Sequence, residues 1–232
     1  MSVKRYLFLA LLLALPCTAG AQEPGLRTRL EARGLPADLI TEVEAIAADA
    51  TAQGIPAGPL ANKAIEGWAK RVPSPRIAAV VRQYAAHMIQ ARAAVRSGGM
   101  AEPSAHVITA ATQAMASGID GGQVEATVRA APGPEAAGPG LNVATALHAQ
   151  GISSEQSVGA VVEAWRRGEQ ITSILDMPSL ARAMQAQGMS PAQVGQRMMQ
   201  GMGGLQGGQH GRPAGVPPPE GHGKGQQGQR RP

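Results

Sequence analysis

An all-α fold is predicted for this 232-residue chain, built as an irregular array of helical hairpins (α-solenoid-like repeats) with a disordered C-terminal tail. Three observations lead there. The first is a repeated phrase. Residues 54–68 read GIPAGPLANKAIEGW and residues 151–165 read GISSEQSVGAVVEAW, so Gly54, Ile55, Ile65, Glu66 and Trp68 match Gly151, Ile152, Val162, Glu163 and Trp165 at a constant offset of 97 positions. The second is apolar spacing: Leu39, Val43 and Ile46 recur in the steps of a helix face, and no alternating apolar–polar run is long enough for a strand. The third is composition. Beyond residue 21 only Trp68, Tyr84 and Trp165 carry large rings, so helices must approach one another on small side chains.

The phrase marks a helix ending, a glycine adopting the left-handed conformation that a side chain resists, and a new helix beginning. The apolar residue after the glycine is placed to fold back on the last turn of the helix it closes. Weaker copies stand at Gly118-Ile119 and Gly188-Met189, so the turn glycines 54, 118, 151 and 188 are spaced 64, 33 and 37 apart. Spacings near 34 are those of two-helix repeats such as the tetratricopeptide type. That type carries its Trp early in its first helix, whereas Trp68 and Trp165 come late in theirs and no Leu-Gly-x-x-Tyr follows, so no family is assigned. The two tryptophans are expected in equivalent seats, each buried by the neighbouring unit.

Both ends are set apart from the array. Residues 1–21 read as a secretory signal peptide, with Lys4 and Arg5, an apolar run over residues 6–15 and the small-residue site Ala19-Gly20-Ala21. Ten apolar residues are too few for a bilayer span, which needs about 20, so no transmembrane segment is expected after cleavage. Cys17 is weighed as a lipid-modified cysteine, but Pro16 stands where a small residue should precede it, and cleavage after Ala21 is the reading adopted. The chain is thus expected to be exported, periplasmic or extracellular, without a cysteine for disulfides or thiol chemistry. From residue 203 Gly, Gln and Pro dominate, the composition of a disordered basic tail, 203–232. Without Lys4 and Arg5 there are 19 basic and 16 acidic residues; the tail carries the whole excess, and the body is neutral. A nucleic-acid binder concentrates its positive charge on the folded part, so none is expected as a partner.

Between the ends the elements follow in order. Residues 22–34 form a polar N-terminal segment with a short helix ending at Gly34, and the helical-repeat domain spans 35–202. A helix after Pro36 runs to Gly54; the next starts near Pro56 and Pro59, where a missing N–H costs least, and is stopped by Pro73 and Pro75. Ser74-Pro75 is read as the cap and first turn of the longest helix, about 75–96, with the apolar stripe Ile77, Val80, Val81, Tyr84, Met88 and Val95. Helices follow over residues 104–116 and after Gly118, with Val124 and Val128 inward. Pro132-Gly133-Pro134 and Pro139-Gly140 are expected to bracket a loop before a helix over 141–150. Ser153 and Gln156 resemble a capping box for the helix 154–167, residues 171–175 are ambiguous, and 178–187 with 191–202 form the last hairpin.

Candidate chemistry is sparse. Glu66 and Glu163 stand beside the two tryptophans, where a carboxylate in an apolar pocket would have a raised pKa suited to hydrolysis. Lys70 and Arg167, four residues on, favour helix-surface ion pairs instead. His87, His106 and His148 stand singly, without the converging ligands of a metal site, and no cofactor is expected. Met184, Met189, Met198, Met199 and Met202 crowd the last hairpin, and four of them (Met184, Met189, Met198 and Met202) form a candidate soft-sulfur copper site, against the commoner role of methionine as a gap-filler. Lys70, Arg71, Arg76, Arg82, Arg92 and Arg96 lie in one stretch without an acidic residue. Arg82, Arg92 and Arg96 are the candidate anion- or partner-binding residues, since guanidinium forks suit phosphate and carboxylate oxygens. The resulting expectation is a non-catalytic interaction module for an anionic envelope component or an acidic protein. A copper-binding protein and a hydrolase using Glu66 or Glu163 stand as the alternatives.

Overall fold

A computed structural model describes residues 25–201. The expected signal peptide over 1–21, Cys17, Met202 and the tail 203–232 lie outside the described residues. Among these the chain forms ten α-helices and no strand: α1 (Leu26–Glu31), α2 (Ala37–Ala52), α3 (Ala57–Ala69), α4 (Ser74–Ser97), α5 (Ala105–Ala116), α6 (Gly121–Ala130), α7 (Pro134–His148), α8 (Ser154–Arg166), α9 (Ile171–Ala186) and α10 (Pro191–Gln200). No described helix is long and apolar enough to cross a membrane.

The helices pack in two layers. Even-numbered helices follow one another, α2 on α4, α4 on α6, α6 on α8 and α8 on α10. The odd-numbered ones do the same with α1 on α3, α5 on α7 and α7 on α9, and neighbours in sequence other than α8 and α9 bridge the layers. The odd layer is interrupted, because α3 and α5 do not pack as their counterparts do. The core divides at the same place. One apolar cluster runs from Leu30 to Met88 with Ile108, the other from Ala91 to Met198. The 24-residue helix α4 spans both, giving Ile77, Val81 and Met88 to the first and Ala91 and Val95 to the second.

The repeated phrase is a structural unit. At Gly54, with φ 76°, the N–H of Ile55 donates to the Ala50 carbonyl at 3.0 Å and that of Gly54 to Thr51 at 2.9 Å. This paired closure satisfies helix-end carbonyls and folds Ile55, 1% exposed, back over the helix it ends. The same pair of bonds recurs at Gly118-Ile119 and Gly188-Met189, and also at Gly34-Leu35, Gly99-Met100, Gly168-Glu169 and Arg71-Val72, whereas at Gly151-Ile152, with Gly151 at φ 86°, only the glycine bond forms, to the His148 carbonyl at 2.9 Å. Trp68 and Trp165 hold the same station in it, each carbonyl accepting from the left-handed residue three positions on. Arg71, φ 58°, is the one non-glycine residue with positive φ among the described residues. A left-handed side chain costs about 1–2 kcal/mol, part of which glycine returns through its freer unfolded chain. Arg71→Gly is therefore expected to raise Tm by about 2–3 °C for a domain of this size. Thermal unfolding checks this, and a fall in Tm would show that the Arg71 side chain contributes more than its backbone costs.

Several expectations are corrected. The loop read around Pro139 is helix: α7 begins at Pro134 and runs through Gly138-Pro139-Gly140. The proline removes one bond, to the carbonyl of exposed Glu135 near the helix start, while the flanking glycines are seats for neighbours. A Cβ on Gly138 would lie 2.7 Å from His106 Cδ2, and one on Gly140 2.1 Å from Trp165 Cη2. Likewise residues 171–186 are one helix through Pro178, because Ile174, Met177, Pro178, Ala181 and Met184 bury a single face across the proline. Val80 is 39% exposed, and Ala78, Ala85 and Ala91 complete the buried stripe of α4 in its place. Ser74 is the first helical residue and makes no cap bond. Ser153 accepts from the Gln156 N–H, but the Gln156 side chain donates across to the Ala192 carbonyl, so complete capping boxes occur instead at Asp120-Gln123 and Ser190-Gln193. Leu30, 0% exposed, brings the polar N-terminal segment into the core.

The tryptophan seats match in backbone but differ in burial. Trp165 is 7% exposed, closed over by α7 at Gly140, whereas Trp68 is only half-buried. Trp68 lies near the end of the array, where α1 has only six residues and the connection at Arg33 and Pro36 lines the space beside it.

Candidate functional site

Where the odd layer is interrupted, a cleft of about 540 Å³ opens between α3, α4 and α5. Asn62, Lys63 and Glu66 enter from α3, Tyr84 and His87 from α4, and Gln113 from α5. Each comes from a helix whose opposite face is fixed in the core by Leu60, Ala61 and Ala64, by Val81, Ala85 and Met88, or by Ile108 and Ala111. Burial raises the Tyr84 phenol above its ordinary value, so it is a hydrogen-bond donor at neutral pH. Glu66 receives hydrogen bonds from Lys70 at 2.5 Å and Lys63 at 3.0 Å. These two ammonium groups, Lys70 first, lower its pKa from 4.5 to about 2. The carboxylate is exposed and its pKa is lowered, so Glu66 is not the raised-pKa carboxylate in an apolar pocket that was expected beside Trp68.

That depressed pKa carries a pH prediction. A folded-state pKa below the unfolded one contributes stability that is complete above pH 4.5 and is lost as pH falls through about 2. The Tm difference between wild type and Glu66→Gln is expected to be small, because exposed pairs are screened by solvent, and to close across that window. A difference that stays constant down to pH 2 would show that the lysines do not hold the charge.

The other predicted residues disperse. Glu163 pairs with Arg166 at 2.6 Å rather than with Arg167, which turns to Glu169 at 2.9 Å and to the Met199 carbonyl at 3.2 Å. His87, His106 and His148 stand in three different settings: His87 is exposed in the cleft, His106 lies against Gly138, and His148 Nδ1 is 2.8 Å from the Ile152 carbonyl. Met184 and Met198, 3% and 1% exposed, belong to the apolar core with Ile152, Ile174 and Val194, which is the gap-filling role. Met189 packs against that core, and Met199 is exposed over Gly159.

On α4 the three candidate arginines separate. Arg82 donates to Glu42 of α2 at 2.9 Å. Half-buried Arg92 and exposed Arg96 have no ion pair or hydrogen bond among the described residues and stand about one turn apart. The Arg92 guanidinium lies across the α2–α3 turn, within 2.8 Å of the place a Cβ on Gly54 would occupy. No protein-family model, curated protein or solved structure matches this chain. The fold and these side chains are therefore the whole basis for a functional reading. Sequence singled out Glu66 and the arginines but missed the cleft. Its one signal was the length of α4, about twice that of its neighbours, which lets a single helix serve two cores.

Proposed function

We propose that the chain is an exported, non-catalytic interaction module that docks an anionic envelope component, or an acidic partner, through α4. The observation that carries this reading is the Arg92–Arg96 pair, two guanidinium groups on one helix without carboxylates to neutralise them. Arg82 is removed from the binding group, because Glu42 already occupies it. Arginine forks match phosphate and carboxylate oxygens, and one exposed and one half-buried charge give weak, salt-sensitive association.

Co-sedimentation with anionic and neutral phospholipid vesicles tests the proposal. The protein is expected on anionic vesicles only, less so as salt rises to the physiological range. Arg92→Gln/Arg96→Gln should weaken this binding several-fold, while Arg82→Gln should leave it nearly unchanged. Equal binding by wild type and the double variant at every salt concentration overturns it.

A further inference from the structure

At the N-terminal end of the array a second cleft, of about 720 Å³, is built around Trp68. Ile65, Val72 and Pro73 share its wall with the half-buried indole, and Arg33 and Arg71 line it without a carboxylate among the lining residues. Neither arginine has an ion pair among the described residues. An aromatic ring flanked by apolar side chains and cations is the chemistry that receives an extended proline-rich segment followed by an acidic group. A run of three prolines followed by an acidic residue occurs once in this sequence, beyond the described residues: Val216-Pro217-Pro218-Pro219-Glu220. Three consecutive prolines each fix φ near −65°, which lowers the entropy lost on docking. Glu220 is the only acidic residue after Gly201, and it directly follows the prolines.

The chain is long enough. From Gly201 the 15 residues 202–216 reach at most roughly 50 Å. The packed path α10–α8–α6–α4–α3 has four interhelical steps, each about 8–10 Å, or roughly 30–40 Å in all. A tether of this kind presents its segment at an effective concentration in the mM range, so a weak site suffices. We infer that residues 216–220 dock in the Trp68 cleft of their own chain, the prolines against the indole and the Glu220 carboxylate between Arg33 and Arg71. The cleft is then an internally occupied peptide site, and a stronger proline-rich acidic ligand from another protein has to displace the tail to enter it. The inference does not depend on the role of Arg92 and Arg96.

The two tryptophans make the test direct. Trp165 is 7% exposed, so collisional quenching of fluorescence by neutral acrylamide reports mainly on Trp68. The chain carried through to Pro232 is compared with Pro217→Gly/Pro218→Gly/Pro219→Gly and with Glu220→Gln, at low protein concentration and with helical content checked by circular dichroism. Releasing a mostly filled tethered site should raise the quenching constant at least about twofold in the triple variant. Glu220→Gln and Arg33→Gln/Arg71→Gln should raise it by smaller and similar amounts. Identical quenching in wild type and triple variant overturns the inference. So does a difference that appears only as protein concentration rises, which would place the segment in another copy of the chain.

Discussion

Trp165→Ala is expected to cost about 3–5 kcal/mol, the range for removing a large buried aromatic and leaving a cavity. Trp165 is 7% exposed and packs onto α7, where Gly140 leaves room for the ring, and its backbone carbonyl closes α8 at Gly168. Its indole Nε1 is buried without a hydrogen-bond partner, so truncation removes an unsatisfied donor and offsets a little of the loss. Trp68→Ala is expected to cost well under half as much, since the half-buried ring gives up less apolar surface. Urea unfolding of both variants measures the contrast as a shift in midpoint at constant slope. Equal losses at the two positions would mean that Trp68 is covered as fully as Trp165.

That contrast shows how far the sequence could be read. Local closure was legible, because Gly54-Ile55 and Gly151-Ile152 state a backbone conformation and a buried residue in adjacent letters. The same closure at Arg71-Val72 was not, because an arginine in the left-handed region carries no compositional mark. Burial of the tryptophans depends on what lies across the array, and equal letters 97 positions apart do not encode that a six-residue α1 ends one side. The loop expected at Pro139 and the ambiguity before Pro178 share one cause. Proline removes a helix bond at a cost of about 3 kcal/mol, and only the tertiary contacts of Ala136, Ala137 and Leu141, or of Ile174 and Met177, overcome it.

The candidate site was legible only as a list of side chains. Lys70 four residues after Glu66 gave the ion pair, since both partners share a helix. Glu42 lies 40 residues before Arg82, and nothing in the intervening sequence sets α2 beside α4 in that register. Charge counting therefore treated Arg82, Arg92 and Arg96 alike. Packing then neutralised one of them and left the pair that the proposed docking uses.

Gly140→Ala is expected to destabilise the protein by about 1–2 kcal/mol, although the same substitution in an open helix is stabilising. Two opposing effects decide the sign. Alanine is favoured over glycine inside a helix by about 1 kcal/mol, and Gly140 is an interior residue of α7. Against this, the new methyl would lie 2.1 Å from Trp165 Cη2 and 2.7 Å from Cζ2, far inside contact distance. The ring is buried and cannot swing to solvent, so relief requires α7 and α8 to part, with overpacking costs of about 1–3 kcal/mol or more. The pairing makes a test that a general loss of folding cannot imitate. In a Trp165→Ala background the clash is gone, and Gly140→Ala should gain about 1 kcal/mol. The double variant would then be more stable than Trp165→Ala alone, with a coupling near the upper end of the ~0.5–3 kcal/mol found for residues in contact. Additive losses would mean that Gly140 does not seat Trp165, and that the helix through Gly138-Pro139-Gly140 is kept for another reason.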